Sequence, residues 1–216
     1  MVRPRMNVRH KNETKHACIV VNPPRGDAAK TVAIYGVQRG GTSMVAAVVA
    51  ALGVDLAGEG LNHEDVRFQT AEGEALDALI AQRNAEKLVW GFKAPQTTLK
   101  LDYLAPRLRN PHYVCVLRNP AAVADSVMMR RGGKPGDLLR RALRFYDKMA
   151  TLAAETTDPL IVVNYERAAA DPDGFVAAMA DFLEIDAGEA LRARAAGMVT
   201  GDGGGYRPLT AKLRPG

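Results

Sequence analysis

The 216-residue sequence predicts an α/β fold: one domain built on a mainly parallel sheet with helices on both faces. Three observations carry this. Short apolar, β-branched runs alternate with longer segments of helical character. The run His112–Arg118 is apolar almost throughout, as in a strand buried on both faces. The strand-like "AIYG" passes into an apolar helical stretch through Gly36, Gly40 and Gly41.

The elements follow in order. Thr31–Val37 reads as a strand and Thr42–Leu52 as a helix. Val66–Lys87 is rich in Ala, Leu and Glu and reads as a helix weakened at Gly73. Leu88–Lys93 is a second strand, Leu99–Arg109 a helix and His112–Arg118 a third strand. Asn119–Arg130 starts with Asn at the N-cap and Pro at the first helical position. "RRGGKPGD" is a loop, Leu138–Thr151 a helix and Leu160–Tyr165 a fourth strand. Pro172–Glu184 and Ala187–Ala196 close the domain as helices. The domain spans 31–200, between an arm, 1–30, and an irregular tail, 201–216.

Composition narrows the function classes. No apolar run approaches the roughly 18 residues of a membrane span, and the N-terminus has no sustained apolar segment of the signal-peptide kind. Cys18 and Cys115 stand far apart, outside any metal-ligand spacing, which reads as a reducing, cytoplasmic setting. The formal net charge of +5 arises in residues 1–30, which hold seven Lys/Arg against two Asp/Glu. The rest is balanced, so the surplus reads as a flexible, solvated arm, and nucleic acid is not expected as a partner.

Gly36, four residues, then Gly41, Thr42 and Ser43, between strand and helix, is the layout of a phosphate-binding loop. Its glycines admit close backbone approach, and the unpaired N–H groups of a helix start attract anions. The lysine such loops carry is replaced by Thr42, and Arg39 is the one cation in the loop. Arg118 and Ser126 form a second anion-binding candidate. Ser126 lies seven residues after the N-cap Asn119, nearly two helical turns, close to its face. Read singly, a glycine turn opening a core helix, or a surface arginine at a strand end, fits the same residues.

"GVQRGGTSM" resembles the 5′-phosphosulfate loop of sulfotransferases, and "VCVLRNPAAVADSVMMR" resembles their 3′-phosphate motif. "LVWGFKAP" is similar to their Lys-x-Pro strand end, and "VVNYERAAADPDGFVAAMADFLEI" to their Tyr-Glu strand end and following helix. The resemblance covers about residues 31–186 and implies a P-loop NTPase-like three-layer sandwich. It implies 3′-phosphoadenosine 5′-phosphosulfate as donor, adenosine 3′,5′-bisphosphate as product, and no metal. By the same resemblance Arg39, Gly40, Gly41, Thr42 and Ser43 hold the 5′ end. Arg118 and Ser126 hold the 3′-phosphate, and Tyr165 lies near the adenine.

The base is less marked. The strand-end segment that supplies a histidine in some members of the family it resembles reads Lys93-Ala94-Pro95 here, and Ala94 cannot supply a base. Glu64 is the candidate, with Asp65 and His63 as rivals, although "NHED" also reads as a helix-capping cluster. Lys93 is expected to assist leaving-group charge, or to be a solvated strand-end lysine. Gly204, Gly205, Tyr206 and Arg207 could fold over the donor, or form an ordinary chain end. The acceptor is expected to be a small molecule, a carbohydrate or a lipid head group. The alternatives are a P-loop kinase or NTPase, with Glu166 a weak metal candidate, and a non-catalytic protein that binds adenosine 3′,5′-bisphosphate.

Overall fold

The computed structural model describes residues 17–58 and 63–199. Five strands form one sheet in the order β1-β5-β4-β2-β3: β1 (Cys18–Asn22), β2 (Lys30–Gly36), β3 (Val89–Lys93), β4 (Pro111–Leu117) and β5 (Leu160–Asn164). β2, β3, β4 and β5 run parallel, and β1 pairs antiparallel with β5. The helices are α1 (Thr42–Ala51), α2 (Arg67–Thr70), α3 (Gly73–Glu86), α4 (Leu101–Leu104), α5 (Pro120–Arg131), α6 (Pro135–Glu155), α7 (Tyr165–Ala170), α8 (Pro172–Leu183) and α9 (Glu189–Ala196).

Side chains alternate across the sheet and divide the core in two. Val32, Ile34, Val114, Val116, Ile161 and Val163 face one layer, made by α1, α8 and α9. Ala33, Tyr35, Trp90, Phe92, Tyr113 and Cys115 face the other, made by α2, α3, α4 and α6. Every residue of β2 is buried, as the continuous apolar pattern of a central parallel strand requires. The result is the expected three-layer sandwich. No helix among the described residues is long and apolar enough to cross a membrane.

Several local expectations change. Residues 18–22, assigned by composition to a flexible arm, form the edge strand β1. The segment 66–87 breaks into α2 and α3, with Ala71 and Glu72 extended and Gly73 at φ 55°. Over 99–109 only Leu101–Leu104 is α-helical, flanked by 3₁₀ turns at Pro95–Lys100 and Ala105–Arg107. α6 starts at Pro135, so the loop after α5 is shorter than expected, and Tyr165 opens the unforeseen helix α7.

Candidate functional site

The loop between β2 and α1 is shaped by its glycines and braced from behind. A Cβ on Gly36 would stand 2.5 Å from Thr42 Cγ2, and one on Gly41 would stand 2.0 Å from Tyr165 Cδ2. Gly41, at φ 88°, is the N-cap of α1 and has no side chain to offer its first N–H groups. The Met44 and Val45 N–H groups donate to the Gly41 carbonyl, and those of Thr42 and Ser43 precede the first turn's acceptors. Arg39 takes the left-handed conformation, φ 67°, which turns its side chain at the tip of the loop. From β3's side, the buried Thr98 hydroxyl donates to the Gly36 carbonyl at 3.0 Å and accepts from the Gly36 N–H at 3.1 Å.

The second constellation closes on this loop. Arg118 Nη1 donates to the Arg39 carbonyl at 2.9 Å, and Arg39 Nε donates to Ser126 Oγ at 3.0 Å. The Arg118 guanidinium lies 4.7 Å from the centre of the Tyr165 ring, the ring that covers Gly41. Arg118, Ser126, Tyr165 and the loop are thus one cluster at the carboxyl ends of β2, β4 and β5. Asn119 caps α5 by accepting from the Ala121 N–H at 2.9 Å, as its sequence predicts.

Two residues that the sequence did not single out in this role fix Arg118. The Tyr146 hydroxyl, from α6, accepts from the Arg118 N–H and donates to its carbonyl. Glu166 Oε1 accepts from the Asn119 N–H at 2.8 Å, so this carboxylate, read above as a weak metal candidate, serves the backbone. Arg118 also borders a cleft of about 680 Å³ between α6 and the β4–β5 half of the sheet, with Cys115, Met149 and Val162 in its walls.

On the β3 side, Lys93 is buried at the strand end rather than solvated. Its ammonium donates to Ser43 Oγ at 3.1 Å and to Glu64 Oε1 at 2.6 Å. Glu64 Oε2 also accepts from Gln69 Nε2 at 3.1 Å. Burial pushes the Lys93 pKa below the usual lysine range, and the Glu64 carboxylate partly opposes that. Of the rivals to Glu64, Asp65 is buried and committed to Arg67: it accepts from the Arg67 N–H, Nε and Nη2. His63, at φ 53°, has its pKa lowered by burial and then by the charge of Lys93. Gly204, Gly205, Tyr206 and Arg207 lie outside the described residues.

The arrangement offers guanidinium, N–H and hydroxyl donors toward the β4–β5 side, and an ammonium–carboxylate pair toward β3. A model of the sulfotransferase family matches residues 71–189, a stretch that contains Lys93, Arg118, Ser126 and Tyr165 but not the glycine loop or Glu64. The sulfotransferase domain of the Synechococcus PCC 7002 olefin synthase is similar in structure, with a TM-score of 0.55 at 20% identity over 79% of this chain and 78% of that one. A retinol dehydratase solved with androsterone and the inactive cofactor PAP superposes with a TM-score of 0.46 at 14% identity, over 80% of this chain and 65% of that one. No curated relative matches the chain.

Proposed function

The chain belongs to the sulfotransferase family, and from that premise we propose that it transfers a sulfuryl group from 3′-phosphoadenosine 5′-phosphosulfate to an acceptor hydroxyl or amine. The acceptor is a small molecule, a carbohydrate or a lipid head group, and the setting is cytoplasmic. One observation carries the reading of the donor. Arg39 and Arg118, far apart in sequence, meet through the Arg118–Arg39 carbonyl bond, with Ser126 on the Arg39 guanidinium. A ligand with two separate phosphate-like groups needs two such cationic points at one loop.

The residues fit that donor. Arg118 Nε is buried without a partner among the described residues, a polar atom ready for an anion. Tyr165 occupies the space over Gly41 that any side chain there would fill, so the buried ring fixes the backbone of the loop. When bound, the donor supplies the sulfuryl group and leaves as adenosine 3′,5′-bisphosphate. Arg118 and Ser126 would hold the 3′-phosphate. Arg39, Gly40, Gly41, Thr42 and Ser43 would hold the 5′ end, where Arg39 and the α1 N–H groups face the charge that grows on the leaving oxygen.

Lys93, buried behind Ser43, adds a positive charge between the loop and the acceptor side. Glu64 is the group in reach to take the acceptor's proton as its oxygen or nitrogen bonds to sulfur. For that, Glu64 Oε1 must exchange the Lys93 ammonium for the acceptor hydrogen. The same ion pair favours the second reading, a protein that binds the bisphosphate without turnover.

A thermal-shift titration tests the donor assignment, with adenosine 3′,5′-bisphosphate run beside ADP and ATP with Mg²⁺. At 100 times Kd the bisphosphate should stabilise by about 2.7 kcal/mol, roughly 5–11 °C for a domain of this size. The shift should vanish in Arg118→Ala. A shift with ATP and Mg²⁺ alone would replace the proposal with a kinase or NTPase. No shift with any nucleotide would refute the donor site. Bisphosphate binding without acceptor sulfation would favour the non-catalytic reading.

A further inference from the structure

The α5–α6 hairpin is anchored at its base and uncovered at its tip. α6 rests on the sheet through Met149, and a turn or two earlier its Phe145 and Ala142 pack with Val123 and Val37. From Asp125 to Arg141 no residue is buried. That stretch is not a polar one. It carries Val127, Met128, Met129, Leu138 and Leu139, and Met129 is 80% exposed. Leu143, just past it on α6, is 54% exposed.

The same stretch is strongly basic. Residues 126–146 hold Arg130, Arg131, Lys134, Arg140, Arg141 and Arg144 against the single carboxylate Asp137. All six cations are exposed, and Asp137 lies 3.5 Å from Arg140. A solvated helical hairpin needs neither uncovered methionines nor an excess of one sign. Apolar side chains interleaved with arginines match an interface that is oily below and anionic above. A polyanion would satisfy the arginines but not Met128, Met129 and Leu143.

We propose that the tip of the α5–α6 hairpin docks on the surface of a bilayer containing anionic phospholipid, Met129 entering the head-group region and the arginines facing lipid phosphates and carboxylates. Ser126, which holds Arg39, is on the same hairpin, so docking brings the candidate site close to the membrane surface. The inference stands on the hairpin alone and does not depend on sulfuryl transfer.

The test is co-sedimentation of the full chain with phosphatidylcholine vesicles, with and without phosphatidylserine. Binding is expected only with phosphatidylserine, weakening as salt rises. The triple variant Arg130→Gln, Arg141→Gln, Arg144→Gln should bind roughly a hundredfold more weakly, and Met129→Ser roughly tenfold. All these side chains are exposed, so both variants should melt as the parent does and keep any response to adenosine 3′,5′-bisphosphate. Vesicle binding that is absent, equal on both lipids, or unaffected by Met129→Ser would overturn the proposal. Retention on heparin or duplex DNA without vesicle binding would also overturn it, in favour of a polyanion.

Discussion

Gly41 lies under the Tyr165 ring so closely that a Cβ on the glycine would stand 2.0 Å from Tyr165 Cδ2. The start of α1 and the aromatic residue that opens α7 are therefore a single packed unit. Gly41→Ala meets two penalties: a left-handed φ of 88° and the ring itself. The backbone part costs about 1–2 kcal/mol. Melting temperature and nucleotide binding should both fall. Adding Tyr165→Ala should recover part of the stability and none of the backbone strain, measurable by thermal denaturation of the double variant.

Thr98 holds the end of β2 from the neighbouring segment, with one hydroxyl serving both the N–H and the carbonyl of Gly36. Thr98→Val keeps the shape and leaves two buried backbone groups unpaired, each costing about 1–3 kcal/mol. Thr98→Ser should stay near the parent. Denaturant titration of the three proteins separates lost hydrogen bonds from lost packing. An unchanged midpoint for Thr98→Val would remove Thr98 as a brace of the loop.

The Lys93–Glu64 pair makes a pH prediction. Burial lowers the Lys93 pKa and Glu64 raises it back in part, leaving it below the usual lysine range. If the Lys93 ammonium supports transfer, the rate falls as pH rises through that lowered pKa, earlier than for an exposed lysine. Glu64→Gln removes the opposing influence, so the Lys93 pKa should drop further. Glu64→Gln should also cost about 10²–10⁴-fold in turnover while bisphosphate affinity holds. A pH–rate profile and calorimetric binding of the bisphosphate measure the two effects.

His112 should make the fold acid-sensitive for a reason unrelated to the site. Its ring is fully buried, Nδ1 faces the Asn110 carbonyl at 3.1 Å, and Nε2 has no partner among the described residues. Burial lowers its pKa below the ordinary 6.5. Between the two values the unfolded chain binds a proton that the folded chain does not, so stability declines as pH falls below about 6.5. His112→Phe, beside Phe182, should flatten that part of the stability–pH curve in chemical denaturation.

Part of the site was legible because it is local. Strand, glycines, hydroxyls and helix follow one another within a few residues at β2–α1, and Asn119-Pro120 caps α5 through its nearest neighbours. The choice between Glu64 and Asp65 was not local. Side by side in "NHED", one reaches Lys93 across the site while the other turns back to Arg67. The charge count misled in another way. A balance summed over everything after residue 30 concealed the surplus of five on 126–146.

By itself the sequence determined the fold class, the order of the four parallel strands along the chain, and the two segments that read as anion-binding candidates. Those depend on hydrophobic period, turn chemistry and capping, interactions that reach a few residues along the chain. Only the tertiary structure decided that Arg118 meets Arg39, that Lys93 is buried between Ser43 and Glu64, and that Cys18–Asn22 is a strand. Each of these rests on a partner distant in sequence, as Cys18 rests on Val163. A hydrogen bond or strand pairing of that kind exists only once packing has brought its two ends together.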